Sequence, residues 1–411
     1  MDIYSFTLYF SIIAGFLMAF SLGANDVANS MASAVGARAI TIKQAVFIAG
    51  SLNFLGAVFF GSHVAATISK GIIRPEAIPE PALLMVGMLA ALLSAGLWVL
   101  MATLTALPVS STHSIVGSIL GFGLLVGGMN AVNWWVMGGI VLSWIVSPFF
   151  GSLISYLVFT QIRRQILYKK HFLLQARKWT PFWITLTAAL IIFSFVYKTP
   201  AGKNLHMGFA FTLLLVLALC GVVWFISRLM IGRMMRGIEE SAEGVESVFR
   251  TLQVGTSCYV AVSQGANDVA NAIGPVATIY LIAREHALPP TAEVPMFLLV
   301  LGGLGITAGI TMLGYKVMST VGEKITALNN TRGFAVDFGA ATTVLVASNL
   351  GMPVSTTHAA VGSVVGVGLA RGFSAVDFRV LGKIVLYWVL TVPIAALTCI
   401  LIFQILRFFM L

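Results

Sequence analysis

The chain has 411 residues, 59% of them from the apolar set AVILMFWYC and only 9% charged, with a mean hydropathy of +0.98. This excludes a soluble domain, which would be about 45–50% apolar and 25% charged, and the 40 glycines and 13 prolines, neither periodic nor in tracts, exclude collagen and disorder. The net charge of +10 is dispersed over loops, which suits an anionic bilayer surface and not a nucleic acid, so no nucleic-acid partner is expected.

A spanning helix takes roughly 20 apolar residues, and the chain holds about twelve such stretches joined mostly by short polar turns. The fold class expected is an all-α integral membrane protein with about 12 transmembrane helices. The N-terminus, MDIYSFTLYFSIIAGFLMAF, begins acidic rather than basic and predicts a first membrane helix instead of a cleaved signal. It runs into GANDVANS at 23–30, where Gly23 predicts an interruption of the helix. A second helix is expected over about 42–71. Two segments then meet at PVSSTH (108–113) as a helical hairpin, and a helix over 134–162 follows. Next come the basic stretch Arg163, Arg164, Lys169, Lys170, Arg177 and Lys178, two helices over about 181–197 and 206–231, and an acidic loop at GIEESAEGVES that reads as a solvated linker.

From there the order repeats: GANDVANA at 265–272, a helix over about 295–322, PVSTTH at 353–358 and a final helix over 378–406. The stretch from Gly56 aligns with that from Gly309, and GGIVLSW from Gly138 with GKIVLYW from Gly382. The chain therefore divides into repeat one (1–162), a linking unit (163–248) and repeat two (249–411). Seven crossings separate the start of one copy from the start of the other, and an odd number makes the repeats inverted in topology, with broken helices and helical hairpins. The acid-free basic stretch belongs in the cytoplasm by the positive-inside rule, which puts the N-terminus outside a multi-pass protein of the cell membrane.

Ionisable groups at membrane depth cost about 2.5–3.5 kcal/mol on insertion scales, so those present ask for a function. Asp26 and Asp268 are the clearest. With Asn25, Asn29, Asn267 and Asn271 they offer carboxylate and amide oxygens, hard ligands suited to a small alkali cation; alternatively they satisfy a helix break by side-chain to backbone bonds. The hydroxyls of Ser110, Ser111, Thr112, Ser355, Thr356 and Thr357 follow Pro108 and Pro353 beside unpaired helix N–H groups, an end that attracts an anion; N-capping alone accounts for one hydroxyl per run, not three. His113 and His358 read as hydrogen-bonding a neighbouring helix in preference to carrying protons. Asp337, Glu323 and Lys324 read as interfacial or gating charges near cytoplasmic helix ends, Lys316 as paired or snorkelling, and Trp134, Trp135, Trp179 and Trp183 as interfacial anchors. Cys220, Cys258 and Cys399, far apart and odd in number, support neither a disulfide framework nor a zinc site.

At GANDVAN and PVS[ST]TH, from Gly23 to Trp388, the chain resembles the inorganic phosphate transporter family, whose halves carry both signatures. The resemblance implies a symporter of inorganic phosphate with about twelve helices, driven by sodium or by protons, commonly a homodimer, and of compact prokaryotic type. It implies substrate contacts at Ser110, Ser111, Thr112, Ser355, Thr356, Thr357, Asn25 and Asn267, and cation ligands at Asp26, Asn29, Asp268 and Asn271. Some members have a glutamate where this chain has Ala66, so no role for that glutamate carries over. No cofactor is implied beyond sodium as the coupling ion.

Charge supports a cation partner. The matched motifs contain no Lys or Arg, so two carboxylates and a phosphate would bring three or four negative charges together. Sodium would neutralise them; protonation of the aspartates is the competing reading, and sulfate the competing substrate. A passive anion channel or an intramembrane protease built on Ser, His and Asp is also conceivable, but duplication in inverted copies suits alternating access better than a single nucleophile.

Overall fold

The computed structural model describes residues 2–62, 65, 71–78, 80–198, 209–287, 294–323, 325–350, 352 and 354–411. Ala66, Lys324 and Pro353 lie outside them, as does the side chain of Glu323. Thirteen α-helices are present among the described residues, and no strand beyond an isolated bridge between Ile73 and Val132. They are α1 (Ile3–Gly36), α2 (Ile42–Phe60), α3 (Pro81–Leu104), α4 (Ser111–Ala131), α5 (Trp134–Ile162), α6 (Phe172–Lys198), α7 (Phe209–Met234), α8 (Ala242–Glu285), α9 (Met296–Leu313), α10 (Tyr315–Glu323), α11 (Asn330–Asn349), α12 (Thr356–Arg371) and α13 (Phe378–Met410). Among the described residues, eight helices are long and apolar enough to cross a membrane. Leu142, Ile145 and Phe149 of α5, Leu214, Leu217 and Phe225 of α7, and Val389, Leu397 and Leu401 of α13 are exposed, the surface a bilayer would cover.

The main helix pairings among the described residues are kept when the two sequence copies are exchanged. α1 packs on α9, α3 and α8, while α8 packs on α2, α11 and α1. The helix opening at each hydroxyl motif lies on the closing helix of the other copy, α4 on α13 and α12 on α5. The copies are thus interlocked instead of standing side by side.

The helices carrying GANDVAN are not broken, contrary to the expectation from Gly23 and Gly265. α1 runs 34 residues and α8 runs 44 without a non-helical residue at the motif. The glycines serve close approach. A methyl group built at Gly23 would strike Ile306 O of α9, and one at Gly309 would strike Phe20 O of α1. On the exchanged pair, a methyl at Gly265 would strike Asn53 O and one at Gly56 would strike Val262 O. Small residues let membrane helices bring their backbones together, and here they do so at the polar motif. The interruptions fall elsewhere. The second helix of copy two breaks at Gly314 between α9 and α10, and each copy breaks at its Pro-Val-Ser motif.

Two further expectations need correction. Trp183 is no interfacial anchor: it is 3% exposed and meets Phe334 and Phe338 edge to face at 6.0 and 5.7 Å. Asp337 is no interfacial charge either. It lies two turns inside α11, 1% exposed, where α1 and α8 cover it.

Candidate functional site

α3 ends because Leu107 N–H turns back to Ala102 O (2.9 Å) and Ala106 N–H to Thr103 O (3.0 Å), with Ala106 left-handed at φ 56°. This double return is the Schellman closure, and it satisfies carbonyls that the helix end would orphan. The chain then runs extended to Ser110 (φ −88°, ψ 112°), whose hydroxyl accepts from His113 N–H at 3.2 Å and caps α4. In copy two Met352 N–H makes the matching return to Ala347 O at 3.0 Å, and Ser355 (φ −80°, ψ 112°) accepts from His358 N–H at 3.2 Å to cap α12. Ser110 and Ser355, expected at the anion, therefore place their oxygens on the helix cap.

The remaining four hydroxyls converge with the acidic motifs. Ser111 Oγ donates to Asp26 Oδ2 at 2.6 Å, and its counterpart Thr356 Oγ1 donates to Asp268 Oδ2 at 3.1 Å. Asn29 Nδ2 crosses to the other copy and donates to Thr356 Oγ1 (3.2 Å) and Thr357 Oγ1 (3.0 Å). Asn271 Nδ2 crosses in the opposite sense to Thr112 Oγ1 (3.2 Å) and Ser111 Oγ (3.4 Å). Thr112 Oγ1 donates to Val354 O and Thr357 Oγ1 to Val109 O, at 3.3 and 3.2 Å. All eight of these side chains are 6% exposed or less. The two motifs of both copies are therefore one site, brought together by the interlocked packing.

Asn25 and Asn267 hold the tips. Asn25 accepts from Val109 N–H (3.2 Å) and donates to Leu107 O (3.0 Å) and Thr103 Oγ1 (3.1 Å), while Asn267 Nδ2 donates to Val354 O (3.0 Å) and Asp268 Oδ1 (2.8 Å). Their amides brace the extended segments that present the hydroxyls.

Among the described residues, no Lys or Arg stands among the charges that act on Asp26 or Asp268. Asp26 Oδ1 is buried without a hydrogen-bond partner. Two carboxylates this deep are held by neutral donors alone, and burial without a cation is costly for each. Among the described residues no group of three or more His, Cys, Asp or Glu side chains is placed to hold a metal ion. The oxygens that do converge are hydroxyl, amide and carboxylate, hard donors for sodium.

The histidines behave as the helix-bonding reading expects. His113 Nδ1 faces Trp388 O at 3.1 Å and His358 Nδ1 faces Trp144 O at 2.8 Å, so each ties its tip to the closing helix of the other copy. A carbonyl only accepts, which assigns the proton to Nδ1. The two rings meet edge to face at 4.5 Å.

Three positions escaped the sequence reading. Gln264 Nε2 donates to Asp26 O at 2.8 Å from the residue just before the second GANDVAN, where copy one has Leu22; that polar substitution at an aligned position was the available signal. Ser33 and Ser257 both donate to Asp337, each at 2.5 Å, from turns of α1 and α8 flanking the motifs. Nothing local in sequence marks them.

A model of the phosphate transporter family matches residues 22–399. A Pyrococcus abyssi protein named as a phosphate permease is 50% identical over 97% of this chain and 98% of its own length. The chloroplastic inorganic phosphate transporter 2-1 of Arabidopsis thaliana is 38% identical over 94% of this chain and 70% of its own. A solved sodium-dependent phosphate transporter superposes with a TM-score of 0.92 at 49% identity, covering 98% of this chain and 99% of that one.

Proposed function

The chain belongs to the phosphate transporter family, a family of membrane permeases, and from that premise we propose that it is a symporter of inorganic phosphate driven by sodium. The observation that carries the reading is the shared hydroxyl proton at Ser111 and Thr356. A hydroxyl has one proton to donate and two lone pairs. While Ser111 donates to Asp26 (2.6 Å) it has nothing to give an anion, and Thr356 stands likewise to Asp268 (3.1 Å). A sodium ion on each carboxylate would take the place of that donor. It would also accept the lone pair of the same hydroxyl oxygen and turn the O–H toward phosphate. Sodium thus prepares the anion site, and phosphate in turn cancels the charge sodium brings. Neither ion binds well alone.

In this reading Ser111 and Thr356, with the first-turn N–H groups of α4 and α12, hold the phosphate; Thr112 and Thr357 join them once their protons turn from Val354 O and Val109 O to the anion, and the caps Ser110 and Ser355 with the braces Asn25 and Asn267 hold those groups in place. Asp26, Asn29, Asp268 and Asn271 hold sodium. The exchange symmetry of the packing suits alternating access: two equivalent repeats, 1–162 and 249–411, inverted across the bilayer with 163–248 between them, would rock about the shared site. About twelve membrane segments, an outside N-terminus, a place in the cell membrane and a homodimeric assembly complete the proposal. The imidazoles bond carbonyls and not serines, which leaves the Ser111 and Thr356 hydroxyls to the carboxylates.

The test is calorimetry on the purified protein, with choline replacing sodium at fixed ionic strength. Sodium should tighten phosphate binding, and phosphate should tighten sodium binding by the same factor, as linkage demands. Phosphate affinity that ignores sodium but follows pH would replace sodium by protons.

A further inference from the structure

On the face that carries the 163–178 basic stretch, two arginines from different helices converge on one backbone oxygen. Arg332, in the first turn of α11, donates from Nη1 to Ala327 O at 3.1 Å, and Arg371, at the end of α12, donates from Nη1 to the same oxygen at 3.2 Å. Arg371 Nη1 also reaches Thr326 Oγ1 at 3.1 Å. Two guanidinium groups held to a shared acceptor repel each other, and capping does not explain the pair. The carbonyl at the end of α12, Ala370 O, is already served by Arg163 at 2.6 Å. Ala327 O has two lone pairs and accepts from both guanidinium groups, which brings two like charges together.

The neighbouring carboxylates do not neutralise the pair. Glu246 of α8 is the acid that acts on Arg332, but its oxygens are engaged by Asn329 Nδ2 (2.8 Å), Thr331 Oγ1 (2.7 Å) and Thr331 N–H (3.0 Å), which cap the start of α11. Asp377 caps α13 through the N–H groups of Arg379 and Val380. Among the described residues, then, neither carboxylate gives a guanidinium a direct ion pair, and both are engaged by other donors. Arg332 Nε, moreover, is buried with no hydrogen-bond partner, a donor left over in a group with five of them.

We infer that Arg332 and Arg371 form a second phosphate-binding site, separate from the buried centre, that takes a phosphate dianion or phosphate monoester between the two guanidinium forks. The planar fork pairs two N–H groups with two phosphate oxygens, and two forks supply the charge that a dianion needs. Ala327 O sets the spacing by holding one Nη1 of each arginine. The same chemistry is offered by inorganic phosphate in solution and by the phosphomonoester headgroup of phosphatidic acid in the adjoining leaflet.

Two measurements on the full chain separate these sources. In nanodiscs of phosphatidylcholine, titration with inorganic phosphate should show a second binding equivalent that Arg371→Gln weakens at least about tenfold, with the first equivalent unchanged. In nanodiscs with added phosphatidic acid, native mass spectrometry should show retained phosphatidic acid that the same variant loses. Either result identifies the source and supports the site. Arg371 is exposed and belongs to no core cluster, so its glutamine variant should fold, and Arg371→Lys, which keeps charge but not the fork, should fall between the two. A single phosphate equivalent in wild type, together with lipid retention indifferent to Arg371→Gln, would overturn the inference.

Discussion

If the Ser111 proton is what sodium releases to phosphate, removing that proton should damage the coupling between the ions more than the binding of either. Ser111→Ala deletes a 2.6 Å bond from a hydroxyl to a carboxylate, a kind worth about 1.5–3 kcal/mol. At 1.36 kcal/mol per tenfold, the ratio of phosphate affinities with and without sodium should fall by about 10- to 150-fold. Thr356→Ala should act through Asp268 in the same way and less strongly, since its bond is longer at 3.1 Å. Ser114→Ala is the control, because Ser114 donates only to Ser110 O one turn deeper in α4. Calorimetric phosphate titrations in sodium and in choline give the ratio directly. A Ser111→Ala protein whose phosphate affinity fell by equal factors in both salts would refute the shared proton and leave Ser111 a simple anion ligand.

Asp26→Asn or Asp268→Asn keeps shape and removes one charge, so sodium activation of phosphate uptake should weaken in each; unaltered sodium dependence in proteoliposomes would remove these residues from the cation sites. Gly23→Ala or Gly309→Ala drives a methyl into a facing carbonyl of the α1–α9 contact and should cost about 1–3 kcal/mol or more, read as a lowered melting temperature in detergent. Gly138→Ala and Gly382→Ala, which meet nothing, should leave it unchanged; equal effects at all four would speak against the close-approach role. Asp337→Ala strands the hydroxyls of Ser33 and Ser257 and should destabilise the fold by about 2–4 kcal/mol, which an unshifted thermal transition would contradict. A cysteine placed beside Lys170 should react with impermeant reagents only from the cytoplasmic side, and labelling from outside would reverse the proposed topology.

Much of the site was legible because polar side chains inside long apolar stretches have few uses. Asp26, Asp268 and the two hydroxyl runs stood out on that ground, and the duplication paired them. The hairpin turn at Pro-Val-Ser was equally plain, since proline and serine terminate and cap helices for local reasons. What the sequence left open depends on which backbone faces which. A glycine before Asn-Asp can loosen a helix or admit a neighbour, and only the approach of Ile306 and Asn53 decides for the neighbour. The crossing bonds from Asn29 to Thr356 and Thr357, and from Asn271 to Ser111 and Thr112, join residues more than 150 positions apart whose spacing carries no trace of the contact. Asp337 sits close to a helix end in sequence, and its depth follows from α1 and α8 closing over it.

The central claim is that sodium drives phosphate through a site made from both repeats. Radiolabelled phosphate uptake into proteoliposomes, with an inward sodium gradient imposed at equal pH and, separately, a proton gradient imposed without sodium, tests it most directly. Accumulation above equilibrium under the sodium gradient alone, abolished by a sodium ionophore, is the predicted result. Accumulation that followed the proton gradient in the absence of sodium, or uptake that never exceeded equilibrium under either, would contradict it.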